Sequence, residues 1–332
     1  MRVLFVCSGN SKNFEIIPFI KEQGESLRRL GIHVDYYPIV GKGVLGYLKA
    51  GLKLRRYLRT DYYDLIHAHY TLSGWAAILG SGKTPVVLSL MGDDANGTYI
   101  GVNRVSLKSR FLVLLTFLIQ PFVKAIISKS ENIEKKVYLK NKSYIVPNGV
   151  NMQTFRPFGN IQACNSTGSR KRKVLFLGNK CRVGKNFPLA KEAVALLNSA
   201  EVELVVPFPL SHQEVPKYLN EADVLVFPSL MEGSPNVVKE AMACSCPIVA
   251  TDVGDVKWVI GNTEGCYIAD FDAKEFAEKV RLALKFAEVR GRTTGAERIK
   301  ELGLDAETIA KRINNIYTKV LLQAGKKKIK AN

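Results

Sequence analysis

The chain has 332 residues, of which 47% are apolar and 23% are charged. This composition excludes a disordered chain, and the length suits two domains of about 150 residues each. The net charge of +18 favours anionic partners such as nucleotide phosphates, anionic lipid surfaces or nucleic acid. The six cysteines show no C-x-x-C pair and no zinc-ligand spacing, so we expect a reduced, cytoplasmic setting and no metal site.

Short β-branched runs alternate with helical patterns in the first half of the chain. We predict helices such as 16–30 and 45–59, and strands at residues 3–7, 33–37, 65–68, 86–90, 125–127 and 143–146. This alternation is typical of a parallel sheet covered by helices.

The longest apolar run, FLVLLTFLI at residues 111–119, is too short to span a bilayer, which needs about 20 residues. The run predicts a buried helix. A membrane-docking helix is the alternative, because Lys108, Arg110 and Lys124 flank it.

A polar stretch at residues 156–173 interrupts the pattern and is interpreted as a linker. After it we predict helices at 188–198 and 235–243, and strands at 174–177, 203–206, 224–227 and 248–250. Two such layouts in series predict an α/β fold of two Rossmann-like domains whose parallel sheets face an interdomain cleft. The predicted domains are residues 1–155 and 174–315, followed by a C-terminal helix and basic tail at 316–332.

The most informative segment is VLVFPSLMEGSPNVVKEAMACSCPIVATDVGDV, which reads strand, loop, helix, strand. Gly233 lets a ligand approach the backbone closely, Ser234 is a candidate N-cap, and Pro235 suits the first helical position. The amides of Asn236 and Val237 would then point out of the helix N-terminus, where the helix dipole favours a phosphate. A phosphate can bind there without a metal ion.

Two glutamates in this segment, Glu232 and Glu240, form an E-x7-E pattern. Each carboxylate can accept hydrogen bonds from neighbouring hydroxyls of a sugar or a ribose. The stretch EGSPNVVKEAMACSCPIVATDVGDV resembles the donor-binding motif of the family-4 retaining glycosyltransferases, which have the GT-B fold. The resemblance implies that Glu240 binds the ribose of the nucleotide, that Glu232 contacts the donor sugar near its reacting end, and that the amides after Gly233 hold the pyrophosphate.

A second stretch, FLGNKCRVGKNFPLA, resembles the pyrophosphate-binding loop of the same family. Members usually have an Arg directly after the glycine and a Lys some residues later. Lys185 fits the Lys position, whereas Asn179 follows Gly178 where the Arg is usual. Arg182 or Lys180 could supply the missing cation from the same loop. Such cations would stabilise a departing nucleotide diphosphate electrostatically.

In the first half, DLIHAHYTLSG and PVVLSLMGDD lie where the family has its acceptor-side segments. Met91 stands where most members have a His, so a familiar active-site residue is missing. His69, Asp93 and Asp94 are candidates for contacts with the donor sugar or the acceptor, although a core or capping role suits His69 equally well. Gly9, in the loop after the first strand, lies where the family places an acceptor or phosphate contact.

The resemblance implies a retaining hexosyltransferase with Glu232, Lys185 and Arg182 as its catalytic candidates. It would transfer a sugar from a UDP- or GDP-linked donor to a glycan or lipid-linked acceptor in cell-surface polysaccharide synthesis. The family reaction is a front-face attack that needs no metal or other cofactor. Met91 and Asn179 keep open the alternative of a catalytically impaired nucleotide-binding protein.

The positive charge keeps open a second alternative, a basic module that binds nucleic acid or a membrane surface. No RNA-binding sheet motif, helix-turn-helix or zinc finger is recognisable, so a nucleic-acid partner is not expected. The basic helix at residues 45–59 predicts docking on the inner, cytoplasmic face of an anionic membrane. A plainly solvated helix face is the competing interpretation.

Overall fold

The computed structural model describes residues 1–11, 15–159 and 170–329, with side chains described through residue 325. The chain forms two compact units: unit 1 contains Met1–Thr98, Ser106–Gly149 and Ala306–Asn332, and unit 2 contains Tyr99–Val105 and Val150–Asp305. The predicted domain ends, at residues 155 and 315, lie beyond these boundaries. Cys164 and most of the predicted linker lie outside the described residues.

Strands and helices alternate along both units. Up to residue 149 they are β1 (Arg2–Ser8), α1 (Pro18–Arg29), β2 (His33–Ile39), α2 (Gly43–Tyr57), β3 (Leu65–His69), α3 (Thr71–Ser81), β4 (Val86–Ser89), α4 (Asp93–Asn96), β5 (Tyr99–Gly101), β6 (Arg104–Val105), α5 (Leu107–Ile119), β7 (Ala125–Ser128), α6 (Glu131–Glu134) and β8 (Ser143–Ile145). The remainder are β9 (Arg172–Leu175), α7 (Phe187–Leu196), β10 (Val202–Val205), α8 (Val215–Glu221), β11 (Val224–Phe227), α9 (Asn236–Ala243), β12 (Ile248–Ala250), α10 (Val256–Ile260), β13 (Cys266–Ile268), α11 (Ala273–Arg290), α12 (Gly295–Glu301) and α13 (Ala306–Ile329).

Unit 1 is built on a six-stranded sheet in the order β2-β1-β3-β4-β7-β8, and every neighbouring pair is parallel. Strands β3, β4 and β7 are buried along their whole length, which explains why they read as continuous apolar runs. Helix α13 packs against α1, so the last helix of the chain completes unit 1. It begins at Ala306, earlier than the predicted start at residue 316.

Unit 2 is built on a five-stranded sheet in the order β10-β9-β11-β12-β13, which is also fully parallel. Its core is apolar and includes Val226, Val249 and Phe276. The antiparallel β5–β6 hairpin belongs to this unit and packs against the turn Val183–Lys185. The two ends of the long segment meet, because the amide of Val150 donates to the carbonyl of Leu304 at 2.9 Å.

The predicted strands and helices are present, with ends that differ by a few residues. Strand β13 and the β5–β6 hairpin were not predicted: these strands have only two or three residues, none of them fully buried, so they lack the apolar run that revealed β12.

Helix α5 departs from the sequence interpretation. The run at 111–119 is helical, but only Ser109, Thr116 and Ile119 of α5 are buried. Its exposed apolar residues are Leu107, Phe111, Leu114, Phe117 and Leu118. The prediction of a buried helix is therefore wrong: a helix that is apolar on all sides usually lies in a core, and this one covers unit 1 with a single face.

Candidate functional site

The loops that follow β11 and β12 pack closely against each other in unit 2. Gly254 has a φ of +64°, and a Cβ atom at this position would lie 2.7 Å from the carbonyl oxygen of Gly233. Only glycine fits this conformation and this approach. The contact fixes the backbone of residues 232–235 at the carboxyl end of the sheet, where ligands of open α/β sheets bind.

Helix α9 begins at Asn236, with Pro235 as its N-cap, and no side chain of the described residues caps it. The predictions of Ser234 as the N-cap and Pro235 as the first helical residue are therefore wrong. The hydroxyl of Ser234 instead donates to Oδ2 of Asp255 at 2.6 Å and accepts from Nζ of Lys239 at 2.8 Å. The hydroxyl of Ser234 therefore bonds a buried ammonium and a nearly buried carboxylate, and it does not cap the helix amides.

Burial is the main electrostatic influence on these two charged groups. It lowers the pKa of Lys239, and the carboxylates of Asp255 and Glu240 act in the opposite direction. Burial also raises the pKa of Asp255, which Lys239 opposes. Lys239 and Asp255 therefore stabilise the loop at Ser234 from the buried side, and they are too enclosed to bind a ligand themselves.

The N-terminus of α9 offers a site for an anion. Asn236 and Val237 are both half-buried at this end. The first amides of a helix have no acceptor within the helix, and they carry the positive end of its dipole. A phosphate placed there is stabilised without a metal ion.

Lys185 and Glu232 form an ion pair beside this loop, with 2.6 Å between Nζ and Oε1. Lys185 ends the turn Val183–Lys185 after β9, and its Nζ lies 5.3 Å from the centre of the Phe227 ring. The carbonyl of Gly184 in the same turn accepts from the amide of Leu230 at 2.9 Å, which joins the two loops. The structure thus places the predicted cation and the predicted sugar-binding carboxylate in direct contact.

The other predicted residues of the β9 loop are less constrained. A Cβ atom at Gly178 would make ordinary contact, 3.5 Å, with the Lys185 side chain, so a larger residue there would touch this lysine. Lys180 and Arg182 are exposed. Either side chain extends from the loop that presents Lys185.

Glu240 lies one helical turn from the end of α9 and contacts a residue that was not predicted. Its Oε1 is 2.9 Å from Nε2 of His212, and the His212 ring lies against Phe155 with 5.2 Å between ring centres. His212 belongs to the irregular segment between β10 and α8. No spacing rule could have found the pair, because the two residues lie 28 positions apart in the sequence.

Of the four residues predicted for a site in unit 1, Asp94 and His69 are buried, and Gly9 and Asp93 are partly buried. Asp94 is fully buried, and its carboxylate accepts hydrogen bonds from the amides of Met91, Gly92 and Thr71 at 2.9, 3.0 and 3.1 Å. Burial raises its pKa, although these amide hydrogen bonds oppose the shift. Asp94 therefore fixes the loop between β4 and α4, which differs from the ligand contact expected of it. Asp93, the first residue of α4, is only partly buried.

His69 lies in the core of unit 1. Its ring stacks on His67 with 4.2 Å between centres and contacts Phe5 at 4.6 Å. Burial lowers the pKa of His69 well below its usual range, so the ring is neutral. The loop at Gly9 packs closely against β2, because a Cβ atom on Gly9 would lie 2.9 Å from Cβ of Pro38.

No group of three or more His, Cys, Asp or Glu side chains within the described residues could hold a metal ion. No helix in the described part of the chain is both long and apolar enough to cross a bilayer.

Two families match most of the chain. Residues 2–154 match Glycosyltransferase Family 4, and residues 182–285 match Glycosyl transferases group 1. TuaC of Bacillus subtilis, named as a teichuronic acid biosynthesis glycosyltransferase, is 28% identical over 246 residues. That match covers 67% of this chain and 61% of TuaC, which is less than two thirds of the relative.

A relative in Escherichia coli is named UDP-Gal:alpha-D-GlcNAc-diphosphoundecaprenol alpha-1,3-galactosyltransferase. It is 23% identical over 303 residues, which cover 76% of this chain and 75% of the relative. The solved structure of HepE from Anabaena in complex with UDP covers 96% of this chain and 100% of HepE, with a TM-score of 0.70 at 15% identity. This likeness concerns the fold. The chain belongs to the family-4, group 1 glycosyltransferases and has their GT-B fold of two Rossmann-like domains.

Proposed function

We propose that the protein is a retaining, metal-independent hexosyltransferase that uses a nucleotide-diphosphate sugar. One observation carries this proposal: two adjoining loops and one helix of unit 2 supply an ammonium, two carboxylates and a helix N-terminus. Lys185 touches Glu232, and Glu240 lies on the helix whose N-terminus follows that loop. These are the groups that a diphosphate, a hexose and a ribose need.

The chemistry follows from where charge develops. The bond between the anomeric carbon and the donor phosphate breaks, and negative charge grows on the leaving diphosphate. Lys185 and the first amides of α9 stabilise that charge, which lowers the barrier without a metal ion. The acceptor hydroxyl attacks from the same face, and its proton passes to the leaving phosphate oxygen. Glu232 accepts hydrogen bonds from the sugar, and Glu240 from the ribose.

The proposed acceptor is a glycan or lipid-linked sugar of cell-surface polysaccharide synthesis, and the proposed donor carries UDP or GDP. Support comes from the relatives, since the Escherichia coli protein is named for a diphosphoundecaprenol acceptor and a UDP donor. The charge of +18 also suits an enzyme that works at the cytoplasmic face of an anionic membrane.

Binding of nucleotides tests the donor site. The melting temperature is measured with UDP, GDP, ADP, CMP and TDP for the wild type, for Glu240→Ala and for Glu288→Ala, an exposed glutamate of α11 that serves as control. A ligand at 100 times its Kd stabilises the native state by about 2.7 kcal/mol. We expect one diphosphate to stabilise the wild type and the control but not Glu240→Ala. If no nucleotide stabilises the wild type, the donor-site assignment fails.

Transfer itself is tested with the nucleotide sugar of the stabilising diphosphate. Hydrolysis of the donor without acceptor separates an active enzyme from an impaired nucleotide-binding protein. The first product is observed by NMR, with and without a metal chelator. Retention of the anomeric configuration and an unchanged rate in chelator are expected. An inverted product would overturn the retaining assignment, and loss of activity would overturn metal independence.

A further inference from the structure

Unit 1 carries an apolar groove of about 340 Å³ on its surface. Its walls come from three helices: Val44 and Leu48 from α2, Leu72 and Trp75 from α3, and Leu118 from α5. These side chains line it with hydrocarbon and aromatic surface. A cavity of this kind favours an apolar ligand over a sugar or a phosphate.

The packing of the three helices holds the groove in shape. A Cβ atom on Gly51 of α2 would lie 3.0 Å from the carbonyl of Ala76, and one on Gly80 of α3 would lie 2.8 Å from Cγ of Leu54. Helices α2 and α3 therefore approach closely through glycines. On the other side, the indole N–H of Trp75 donates to the carbonyl of Leu115 at 3.2 Å, which ties α3 to α5.

The surface around the groove is also apolar. Leu45 and Leu52 of α2 are 74% and 62% exposed, and Phe111, Leu114 and Phe117 of α5 are each half or more exposed. Isolated exposed apolar residues are ordinary on a monomer, but a group of this size on neighbouring helices marks an interaction surface.

Basic side chains accompany these apolar residues. On α2, Lys49, Lys53 and Arg56 are exposed, and Lys49 and Arg56 lie four residues after the exposed Leu45 and Leu52. Lys108 and Arg110 are exposed on the first turn of α5. None of the helices α2, α3 and α5 contains an Asp or a Glu. A second copy of this chain would bring like charges together at such a surface, whereas an anionic lipid layer would neutralise them.

We propose that the groove between α2, α3 and α5 binds a hydrocarbon chain of an anionic membrane lipid, with the surrounding lysines and arginines on the lipid phosphates. The inference rests on the proposed function, because a lipid-linked acceptor requires the enzyme to work at a membrane. The inference adds a defined site to that function. One acyl chain of a membrane lipid extends out of the bilayer into the groove and contacts Trp75.

Trp75 provides a direct readout. The chain has two tryptophans, Trp75 and Trp258, so Trp258→Phe leaves the groove tryptophan as the sole emitter. The variant is mixed with phosphatidylglycerol vesicles whose acyl chains carry bromine atoms, which quench tryptophan on contact. We expect at least twofold quenching, which is absent with phosphatidylcholine vesicles and declines as salt screens the charges. The converse variant Trp75→Phe, which keeps only Trp258, should show no quenching.

Variants of the groove test whether a lipid acyl chain binds inside it. In the Trp258→Phe background, Leu48→Asp places a carboxylate on the groove wall and should weaken vesicle binding at least tenfold. The matched control Leu196→Asp changes a leucine of similar exposure in unit 2 and should bind vesicles normally. Melting temperatures of the two variants are compared to exclude unfolding.

Three outcomes would overturn the proposal. Vesicle binding without quenching of Trp75 would mean that the basic surface binds phosphates and the groove stays empty. Absence of binding to anionic vesicles would show that neither the groove nor the surrounding basic residues bind lipid. Dimerisation in solution that Leu48→Asp abolishes would make a second copy the occupant. Stabilisation by nucleotides is measured on the same samples, so failure of the lipid site is distinguishable from failure of the donor site.

Discussion

At the scale of single residues, the contact between His212 and Glu240 has the clearest consequence for ligand binding. The hydrogen bond engages Oε1 of Glu240 and restricts the rotation of its carboxylate, so that Oε2 is presented in one direction. A carboxylate fixed in this way loses less conformational entropy when it accepts a ribose hydroxyl. We infer that His212 is a positioning residue for Glu240.

Replacement of His212 should therefore weaken binding through the ribose hydroxyls. For His212→Ala we expect about tenfold weaker binding of the stabilising nucleoside diphosphate, equivalent to about 1.4 kcal/mol, by calorimetry. The 2′-deoxy and 3′-deoxy analogues are measured in the same way. The analogue that lacks the hydroxyl bound by Glu240 should bind the wild type and the variant equally.

A conservative replacement supplies the control. His212→Gln keeps an N–H donor near the position of Nε2 and should restore most of the affinity. Lys217→Ala, an exposed change on the neighbouring helix α8, should bind as the wild type does. An equal loss for the nucleotide and both deoxy analogues would contradict the positioning role and indicate a contact with the base or a structural defect.

Motif residues could be predicted from the sequence, and their partners could not. Lys185, Glu232 and Glu240 stand in stretches whose order of strand, loop and helix is recognisable. The role of Ser234 was misassigned because capping rules consider the nearest amides, whereas its actual partners are a buried lysine five residues later and Asp255, 21 residues away. His212 gave no signal because its function depends on tertiary contact alone.

At the scale of elements, Asp94 joins the loop before α4 to the start of α3 through backbone amides. Its pKa lies above the ordinary value of 3.8 because of burial. The folded state therefore binds this proton more tightly than the unfolded state does. The stabilisation from the protonated carboxyl is complete below about pH 4 and is lost as the pH rises through the folded-state pKa.

The expected result is a pH-dependent difference between wild type and Asp94→Asn. The free energy of unfolding of the wild type, relative to that of the variant, should fall from about pH 4 upward and then level off. Urea unfolding at a series of pH values measures it. The exposed Asp270→Asn serves as control and should follow the wild type. A difference that grows with pH would mean that the amide hydrogen bonds outweigh burial.

Hydrophobic periodicity predicted which segments are helical and failed to predict how they are buried. After its first turn, helix α5 is apolar on nearly all sides, so residues 111–119 contain no polar face that would identify the solvent side. Its exposure follows from the position of α5 outside α3 and α4 in unit 1, which depends on contacts between segments distant in sequence. Strand order in the sheets is non-local in the same way.

At the scale of the whole molecule, unit 1 depends on its third segment, helix α13. Tyr317 of α13 is fully buried, and its hydroxyl contacts Nδ1 of His67 at 2.5 Å, while Nε2 of His67 lies 2.8 Å from Oγ of Ser89. The C-terminal helix therefore reaches a polar cluster beside the central strands of unit 1.

Tyr317→Phe should lower the free energy of unfolding of unit 1 by about 1–3 kcal/mol, because a buried ring nitrogen of His67 loses its partner. Calorimetry measures the transition with and without the stabilising nucleotide, whose effect on unit 2 should persist. Tyr218→Phe, on α8 in unit 2, is the comparison variant. A loss confined to nucleotide binding, with unchanged stability, would contradict this account.

The hydrogen bond between Val150 and Leu304 brings together the two ends of the long segment of unit 2. Because residues 150 and 304 are hydrogen-bonded neighbours, the segment Val150–Asp305 leaves and re-enters the rest of the chain at one point. A segment with adjacent ends can be replaced by the corresponding segment of a homologue with little change at the junctions. The β5–β6 hairpin of unit 2 lies outside this segment and would come from the recipient chain. A change of unit 2 as a whole therefore leaves helices α2, α3 and α5 of unit 1 unchanged.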